Sequence, residues 1–338
     1  MTRPFHPAWW LPGGHLQTLW PSLLRRPPEV ALRRERLELA DGDFLDLDWL
    51  EGADPEAPLA LLLHGLEGGP DSHYVPGMLQ ALGAAGFRPV VMYHRGCSGE
   101  PNRHHRRYTG GDTADVAELA ARLRTRHPGI PLAVVGVSLG ANVLLKWLGE
   151  EGAASPVAAA AAISPPFRLD RAADRLDRGL SRLYQRHLLT TLSRALARKY
   201  AADPAACPVP PAELAGMRSF RAFDDAFTAP VHGYAGVDAY YARASARQFL
   251  GAITVPTLIV HATDDPFTTP DAVPDPDELS PAVRLELYRH GGHVGFVAGS
   301  VPGRPRYWLE ERGPAFLHAR VLGPEAPASS AREPHPAP

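Results

Sequence analysis

The stretch LAVVGVSLGAN at residues 132–142 decides how this chain is interpreted. Four apolar residues run into the pattern Gly-x-Ser-x-Gly, centred on Ser138, and an amphipathic helical pattern follows. A serine on a tight turn between a strand and a helix takes a strained conformation that lifts its hydroxyl above the sheet edge. Gly136 and Gly140 lack side chains, so the strand and the helix can approach closely there. The bare pattern also arises by chance, but this context predicts a nucleophile at Ser138.

Short apolar runs bounded by Gly, Pro or polar residues recur along the chain. They lie at residues 59–63, 89–93, 132–135, 157–163, 257–260 and 283–288. Because most are continuous rather than alternating, they predict strands that helices cover on both faces. Helical patterns, such as residues 113–126, separate them, and residues 37–49 surround an Asp-Gly turn that predicts an antiparallel hairpin. This alternation predicts a mostly parallel sheet of the α/β class.

One interval interrupts the alternation of strands and helices. Residues 167–241 contain amphipathic helical sequence and no convincing strand. We therefore expect a helical cap inserted into a core that consists of residues 31–166 and 242–320. Residues 1–30 are expected to form an N-terminal arm that packs on this core.

The orienting acid should follow a late strand. A serine hydroxyl is a weak nucleophile and needs a base, which in turn needs an orienting group. Asp264 and Asp265 follow the apolar run at residues 257–260, and adjacent residues of an extended segment point to opposite sides. Asp265 precedes a proline and is biased towards extended geometry, which favours it as the acid. Asp264 would then cap or brace the loop.

The base should follow the last predicted strand, where the sequence offers His290 and His293. Two glycines precede His293, so its loop can bend back over the sheet edge. This favours His293 as the general base and leaves His290 as a loop or surface residue.

A glycine-rich loop at residues 64–69 follows the third predicted strand. Acyl transfer needs two amide donors for the negative charge that develops on the carbonyl oxygen. We expect the amides of Leu66 and Leu139 to form this oxyanion hole. The alternative interpretation of the loop is a simple turn.

Residues 95–108 follow the fourth predicted strand and carry four arginines: Arg95, Arg103, Arg106 and Arg107. These arginines could contact an acidic part of a substrate. They could instead pair with Glu100, Asp112 and backbone carbonyls to fix a long loop, and we favour this second interpretation.

Composition limits the function classes. The chain has 338 residues, 45% hydrophobic and 21% charged, with a net charge of −2, so one large α/β domain without a nucleic-acid partner is expected. Two cysteines, Cys97 and Cys207, are too few for a disulfide framework and suit the cytoplasm. Cys97 is expected to be a small buried thiol, and no histidine has metal-ligand spacing, so no metal site is predicted. No run approaches the roughly 20 apolar residues that span a bilayer, and residues 321–338 have the composition of a disordered tail.

Several linked motifs in the chain are similar to those of a known family. They lie at residues 11–18, 64–69, 95–102, 136–142, 223–230, 264–267 and 291–293. Together they resemble the YheT-like branch of the α/β-hydrolase superfamily (AB-hydrolase family four), nearly end to end from residue 5 to residue 316. Some relatives of this branch act on lipid esters. The resemblance implies an α/β-hydrolase fold with an eight-stranded, mostly parallel sheet, and a catalytic set of Ser138, Asp265 and His293.

The expected activity is hydrolysis of a small-molecule carboxylic ester, lipid-like esters included, through an acyl-enzyme and without a cofactor. An amidase, a peptidase or a thioesterase would use the same three residues, because they do not select the leaving group. A ligand-binding protein without activity is the alternative from another class. Substrate-binding residues, oligomeric state and peripheral membrane contact stay unassigned.

Overall fold

The central element is one sheet of eight strands, within residues 3–323 that the computed structural model describes. In chain order the strands are β1 (Leu32–Glu38), β2 (Phe44–Leu50), β3 (Leu59–Leu63), β4 (Arg88–Met92), β5 (Leu132–Val137), β6 (Ala159–Ile163), β7 (Thr257–Ala262) and β8 (Val283–Tyr288). Their order across the sheet is β1-β2-β4-β3-β5-β6-β7-β8. β1 and β2 form the predicted hairpin, β2 pairs antiparallel with β4, and all other neighbours are parallel. The mostly parallel eight-stranded sheet is therefore confirmed.

Helices cover both faces of this sheet. The α-helices of the described residues are α1 (Gly13–Leu24), α2 (Val75–Ala84), α3 (Ala114–Arg126), α4 (Leu139–Glu151), α5 (Leu169–Leu176), α6 (Ser181–Lys199), α7 (Pro211–Gly216), α8 (Phe220–Phe223), α9 (Ala229–Val231), α10 (Val237–Ala244) and α11 (Leu309–Val321). Of these, α3 and α4 pack on one face of the sheet, and α2 and α11 pack on the other. A π-helix occupies Asp224–Thr228, and 3₁₀ turns lie at Gly152–Ala154, Pro204–Ala206, Ala246–Ala252, Pro270–Ala272 and Pro276–Glu278. A small antiparallel pair, β9 (Val297–Ala298) and β10 (Arg306–Tyr307), lies outside the main sheet.

The inner strands β3, β5, β6 and β7 are buried on both faces because each face of the sheet has its own core. Alternate residues of β3 show this: Leu61 packs in one cluster with α3 and α4, and Leu62 packs in a second cluster with α2 and α11. All five residues of β3 are buried. This two-sided burial explains why the apolar runs in the sequence are continuous.

The N-terminal residues pack on the core through α1, a helix that the sequence did not predict. The Ala8 amide donates to the Val297 carbonyl at 2.9 Å. A Cβ atom on Gly14 would lie 1.9 Å from the Asp264 carbonyl oxygen, so only glycine allows α1 to sit this close to the loop after β7. α1 therefore rests against the edge of the sheet where the site residues lie.

Residues 167–241 contain helices and no strand, and they form a separate apolar cluster that includes Leu196, Phe223 and Tyr240. The first two helices of these residues, α5 and α6, are separated by a turn at Gly179, whose φ is 53°. We refer to residues 167–241 as the helical segment.

Asn142 of α4 holds the residues that directly follow this segment. Its buried amide group donates to the carbonyls of Gly110, at 2.7 Å, and Ala244, at 2.8 Å. Its side-chain oxygen accepts from the Ala246 amide at 2.9 Å. The disordered tail expected at residues 321–338 lies, from residue 324 onward, outside the described residues, and Val321 ends α11.

Candidate active site

Ser138 lies on the turn between β5 and α4 in a strained conformation, with φ 53° and ψ −118°. Side chains at the flanking glycines would collide with backbone: a Cβ on Gly136 would lie 2.6 Å from the Gly140 carbonyl oxygen, and one on Gly140 would lie 2.4 Å from the Leu63 carbonyl oxygen. The Ser138 amide donates to the Ile163 carbonyl of the neighbouring strand at 2.8 Å. Close packing of β5, α4 and β3 thus holds the serine in an otherwise costly geometry.

The structure brings Ser138, His293 and Asp265 into one chain of hydrogen-bond distances. Ser138 Oγ lies 2.8 Å from His293 Nε2, and His293 Nδ1 lies 2.8 Å from Asp265 Oδ2. The Asp265 side chain is completely buried, and the Phe267 amide donates to its other oxygen at 2.7 Å. Burial opposes ionisation of this carboxyl, but His293, His261 and the Phe267 amide together outweigh it and lower the pKa of Asp265 below its usual range.

The two alternative residues in these loops take other positions. Asp264 accepts hydrogen bonds from the amides of Gly291, at 3.0 Å, and Gly292, at 2.9 Å, so it braces the loop that carries His293. His290 is exposed, and its Nδ1 lies 3.1 Å from Asp264 Oδ2. Neither Asp264 nor His290 contacts Ser138 or His293 through a side-chain hydrogen bond in the described part of the chain.

In the loop after β3, most amides already have partners. The Gly65 amide donates to Tyr74 Oη at 2.8 Å, and the Glu67 amide donates to Tyr108 Oη at 2.6 Å. The next two amides, at residues 68 and 69, donate to the Gly65 carbonyl and to Ser72 Oγ. Within residues 3–323 the Leu66 amide has no such partner, and Leu139 begins α4, where a helix leaves its first amides free. Both predicted oxyanion donors are therefore available.

A buried ionic cluster supports this loop, and the sequence analysis did not assign it. Glu67 has a φ of 49°, an unusual conformation for a residue with a side chain. Tyr108 Oη donates to Glu67 Oε1 at 2.8 Å, and Arg107 Nη2 lies 2.9 Å from the same oxygen. Both charged side chains are 6% exposed. The cluster fixes the residue that directly follows Leu66.

Two further residues that the sequence analysis missed hold the His293 ring and backbone. Thr18 Oγ1 accepts from the His293 amide and donates to the Gly14 carbonyl at 2.7 Å. The Phe267 ring stands edge-on to the His293 ring, with 4.0 Å between the centroids. Thr18 and Phe267 belong to the family motifs at residues 11–18 and 264–267. These motifs were the feature of the sequence that could have identified them.

Ser138 and His293 open into a cavity of about 790 Å³. The helical segment supplies much of its wall, and α1 and the loop after β3 supply most of the rest. Apolar side chains dominate the part that the helical segment contributes, among them Leu169, Leu176, Leu192, Leu196, Phe220 and Phe227. Such a cavity accommodates an apolar chain adjacent to the serine.

Asp224 is a partly buried carboxyl of the cavity wall. It belongs to the π-helix and accepts from Thr228 Oγ1 at 2.6 Å and from Tyr241 Oη at 2.8 Å. Burial raises the pKa of Asp224 to about 6, although these two hydrogen bonds oppose the shift.

The arginine-rich loop is held by ion pairs. Arg95 forms a bidentate pair with Asp115, with both distances below 3 Å, and also contacts Asp41 at 2.7 Å. Arg103 pairs with Glu38, Arg106 with Asp112 and Arg107 with Glu67. Glu100 pairs with Arg36 of β1 rather than with an arginine of this loop. The structure thus favours the interpretation of these arginines as fixing the loop.

The remaining sequence expectations concern cysteine, metal and membrane. Cys97, expected to be buried, is only partly buried. Its removal from water, together with Glu67, raises the pKa of the Cys97 thiol to about 12, which disfavours the thiolate. Among residues 3–323, no three or more His, Cys, Asp and Glu side chains cluster as metal ligands. No helix in that range combines the length and apolar character needed to cross a bilayer.

Comparison with known proteins is consistent with this architecture. The family model of the alpha/beta hydrolase fold matches residues 58–300. YheT of Escherichia coli (strain K12) is 45% identical over 305 residues, which cover 90% of this chain and 89% of that protein. Phospholipase ABHD3 of Mus musculus is 31% identical over 329 residues, 95% of this chain and 80% of that protein. Of the solved structures, the Pyrococcus furiosus esterase Pf2001 superposes with a TM-score of 0.55 at 16% identity, over 88% of this chain and 98% of that one.

The structural match alone supports only the fold, because its sequence identity is low. The family match and the identity to YheT extend over most of the chain and confirm the resemblance seen in the motifs. This chain belongs to the α/β-hydrolase family, in the branch that contains YheT.

Proposed function

We propose that this protein is a serine hydrolase that cleaves carboxylic esters with an apolar acyl chain. The observation that carries the proposal is the hydrogen-bonded series Ser138–His293–Asp265 at the wall of an apolar cavity. The relatives agree with it, since one of them is named as a phospholipase. The apolar wall favours a lipid-like ester over a peptide, whose polar backbone would lose hydrogen bonds to water there.

In the proposed mechanism, Ser138 Oγ attacks the acyl carbonyl while His293 Nε2 takes the hydroxyl proton. Asp265 stabilises the resulting imidazolium through Nδ1, and its low pKa keeps it ionised for this role. The amides of Leu66 and Leu139 stabilise the tetrahedral oxyanion. His293 then donates its proton to the leaving alkoxide, which departs and leaves an acyl-serine.

Water completes the cycle. It attacks the acyl-serine carbonyl as His293 removes one of its protons, and the carboxylic acid leaves as Ser138 regains its proton from His293. The helical segment at residues 167–241 serves as a cap in this proposal: its apolar side chains hold the acyl chain and restrict water near the carbonyl. Residues 31–166 and 242–320 form the hydrolase core, with residues 3–30 packed against it.

A fluorophosphonate probe and a series of p-nitrophenyl esters of increasing acyl length test the proposal. Ser138→Ala should abolish labelling and lower kcat by about 10⁴- to 10⁶-fold, because the three residues act as one unit. Ser155→Ala serves as the matched control, since Ser155 lies outside the cavity wall, and it should label and turn over like the wild type. Labelling that persists in Ser138→Ala, or full turnover without Ser138, refutes the mechanism.

A further inference from the structure

Exposed apolar side chains border the mouth of the cavity on two helices. Leu23 of α1 is 72% exposed, and Leu180 and Leu183 at the start of α6 are 64% and 67% exposed. All three also line the cavity. His15 and Tyr184 join the two helices, with His15 Nδ1 3.1 Å from Tyr184 Oη. We propose that this surface, which we call the entrance face, docks on an anionic phospholipid bilayer and admits the ester substrate from it.

The apolar part of the entrance face continues along α1. Leu16 and Leu24 are also exposed. Leu23 and Leu24 follow Leu16 by seven and eight residues, a spacing that places all three on one side of the helix. Exposed side chains of this size, concentrated around one opening, are unusual on a protein that only contacts water. Leucines on a helix that lies in a membrane surface insert into the boundary between headgroups and acyl chains.

The charges beside these leucines have one sign. Residues 178–202 contain six basic residues and no acidic residue, although the whole chain has a net charge of −2. Residues 1–28 contain no acidic residue and three arginines, of which Arg25 is buried in an ion pair with Glu310 and the other two, at positions 3 and 26, are exposed. Asp177 directly precedes the first of these stretches and accepts a hydrogen bond from Gln185 at 3.0 Å. The local excess of positive charge therefore lies on the same two segments as the exposed leucines.

The arginines of α6 and its N-terminal flank are free to contact a partner. Five are exposed, and none has an ion-pair partner among residues 3–323: Arg178, Arg182, Arg186, Arg194 and Arg198. Within α6, Arg182 and Arg186 are spaced by four residues, as are Arg194 and Arg198, so each pair lies along one side of the helix. In contrast, the arginines of the loop after β4 all have carboxylate partners.

An anionic bilayer fits these features better than other partners. Two copies of the entrance face would bring their unpaired arginines together, and like charges repel. A nucleic acid would satisfy the arginines but offers no apolar layer for the leucines. A bilayer surface supplies both, because headgroup phosphates meet the arginines while acyl chains receive Leu23, Leu180 and Leu183. The substrate would then enter the cavity without crossing water.

The test uses the full chain with Ser138→Ala, so that lipid binding is measured without hydrolysis. The protein should co-sediment with mixed vesicles of phosphatidylcholine and phosphatidylglycerol, and much less with vesicles of phosphatidylcholine alone. Binding to the mixed vesicles should fall as salt is added. Arg182→Glu with Arg186→Glu should reduce the partition coefficient by about tenfold or more, since each cation adds to the attraction. Leu23→Ser with Leu183→Ser should reduce it several-fold at unchanged charge.

Matched controls separate this surface from general charge. Arg124→Glu with Arg320→Glu makes the same change in charge at exposed arginines on α3 and α11, and Leu287→Ser replaces an exposed leucine of β8. These variants should bind as the parent does. Equal binding to both kinds of vesicle, or equal loss in the controls, overturns the proposal. Light scattering gives a further test. If the protein is a dimer that Leu23→Ser with Leu183→Ser dissociates, the proposal is also overturned, because the entrance face would then be an interface between two copies.

The docking proposal and the proposed hydrolysis can fail separately. Vesicle binding in the Ser138→Ala protein does not depend on catalysis. In the chain that retains Ser138, Arg182→Glu with Arg186→Glu should leave turnover of a water-soluble short-chain ester unchanged and lower turnover of an ester embedded in anionic vesicles by about tenfold. If the double variant loses the same fraction of turnover on both substrates, the docking proposal is contradicted. If the chain that retains Ser138 turns over neither substrate, only the hydrolase proposal is contradicted.

Discussion

Thr18 Oγ1 lies 2.8 Å from the backbone nitrogen of His293, although 275 positions separate the two residues in the chain. Thr18 belongs to α1, and Gly14 in the same helix packs against the loop after β7 that holds Asp265. The first helix thus supports both the proposed base and the proposed acid. This relationship gives the N-terminal residues a role in the geometry of the site.

Thr18→Val keeps the shape of the side chain but removes the acceptor for the His293 amide. We expect kcat to fall by about 10- to 100-fold with little change in KM, because a small displacement of the base weakens proton transfer. Thr18→Ser retains the hydroxyl and should restore most of the activity. Steady-state kinetics on a soluble ester provides the measurement, and equal kcat for Thr18→Val and the wild type would contradict the role.

Asp265→Asn and Asp264→Asn form a matched pair at adjacent positions. Asp265→Asn should lower kcat by roughly 10⁴-fold, since the amide stabilises the wrong tautomer of His293 and cannot balance the imidazolium charge. Asp264→Asn retains an oxygen that can accept from the Gly291 and Gly292 amides, so its kcat should change by less than about tenfold. A larger loss for Asp264→Asn than for Asp265→Asn would reverse the assignment.

Tyr108→Phe removes the hydroxyl that binds both the amide and the carboxylate of Glu67. The neighbouring Leu66 amide should then lose its fixed direction, and kcat should fall by about tenfold or more while KM changes little. Tyr93→Phe is the control, because Tyr93 bonds to Asp48 at 2.9 Å and is not part of the cavity wall. A parallel decrease in both variants would indicate a general loss of stability instead.

Asp224 should make stability depend on pH. Its folded pKa of about 6 exceeds its usual value of 3.8, so the contribution of this carboxyl to stability is fully present below about pH 4 and is lost as pH rises through about 6. Asp224→Asn removes this dependence. The free energy of unfolding of Asp224→Asn minus that of the wild type should increase by about 3 kcal/mol between about pH 4 and pH 7. Urea titrations of both proteins at each pH measure this difference. A constant difference across this range would contradict the assignment.

Local pattern was sufficient to predict much of the fold. The run at residues 59–63 coincides with β3, and the run at 283–288 coincides with β8. Burial on both faces makes the run of β3 easy to recognise, whereas β8 lies at the edge of the sheet and is mostly half-buried or exposed. α1 was missed because Gly13 and Gly14 begin it and Pro21 lies inside it, and all three are poor helix formers. Packing against the core decides its conformation.

The residues of the candidate site were predictable where a neighbouring proline or glycine sets the freedom of the backbone and so favours one of two candidate side chains. The proline after Asp265 and the glycines before His293 pointed to residues that the structure places within hydrogen-bond distance of each other. Thr18, Tyr108 and Phe267 were not assigned, because their roles depend on contacts between distant parts of the chain. The cavity is likewise a product of how the helical segment packs, which no local pattern specifies.

Two of the hydrogen bonds of Asn142 have a consequence for how a bulky molecule could reach Ser138. They anchor Ala244 and Ala246, which directly follow the C-terminal end of the helical segment, to the helix that follows Ser138. If the helical segment swung as a rigid body about its N-terminal end, these Asn142 hydrogen bonds would break in the protein interior, at a high cost in free energy. The pivot for any widening should therefore be this anchored end, and the gap should open where His15 meets Tyr184.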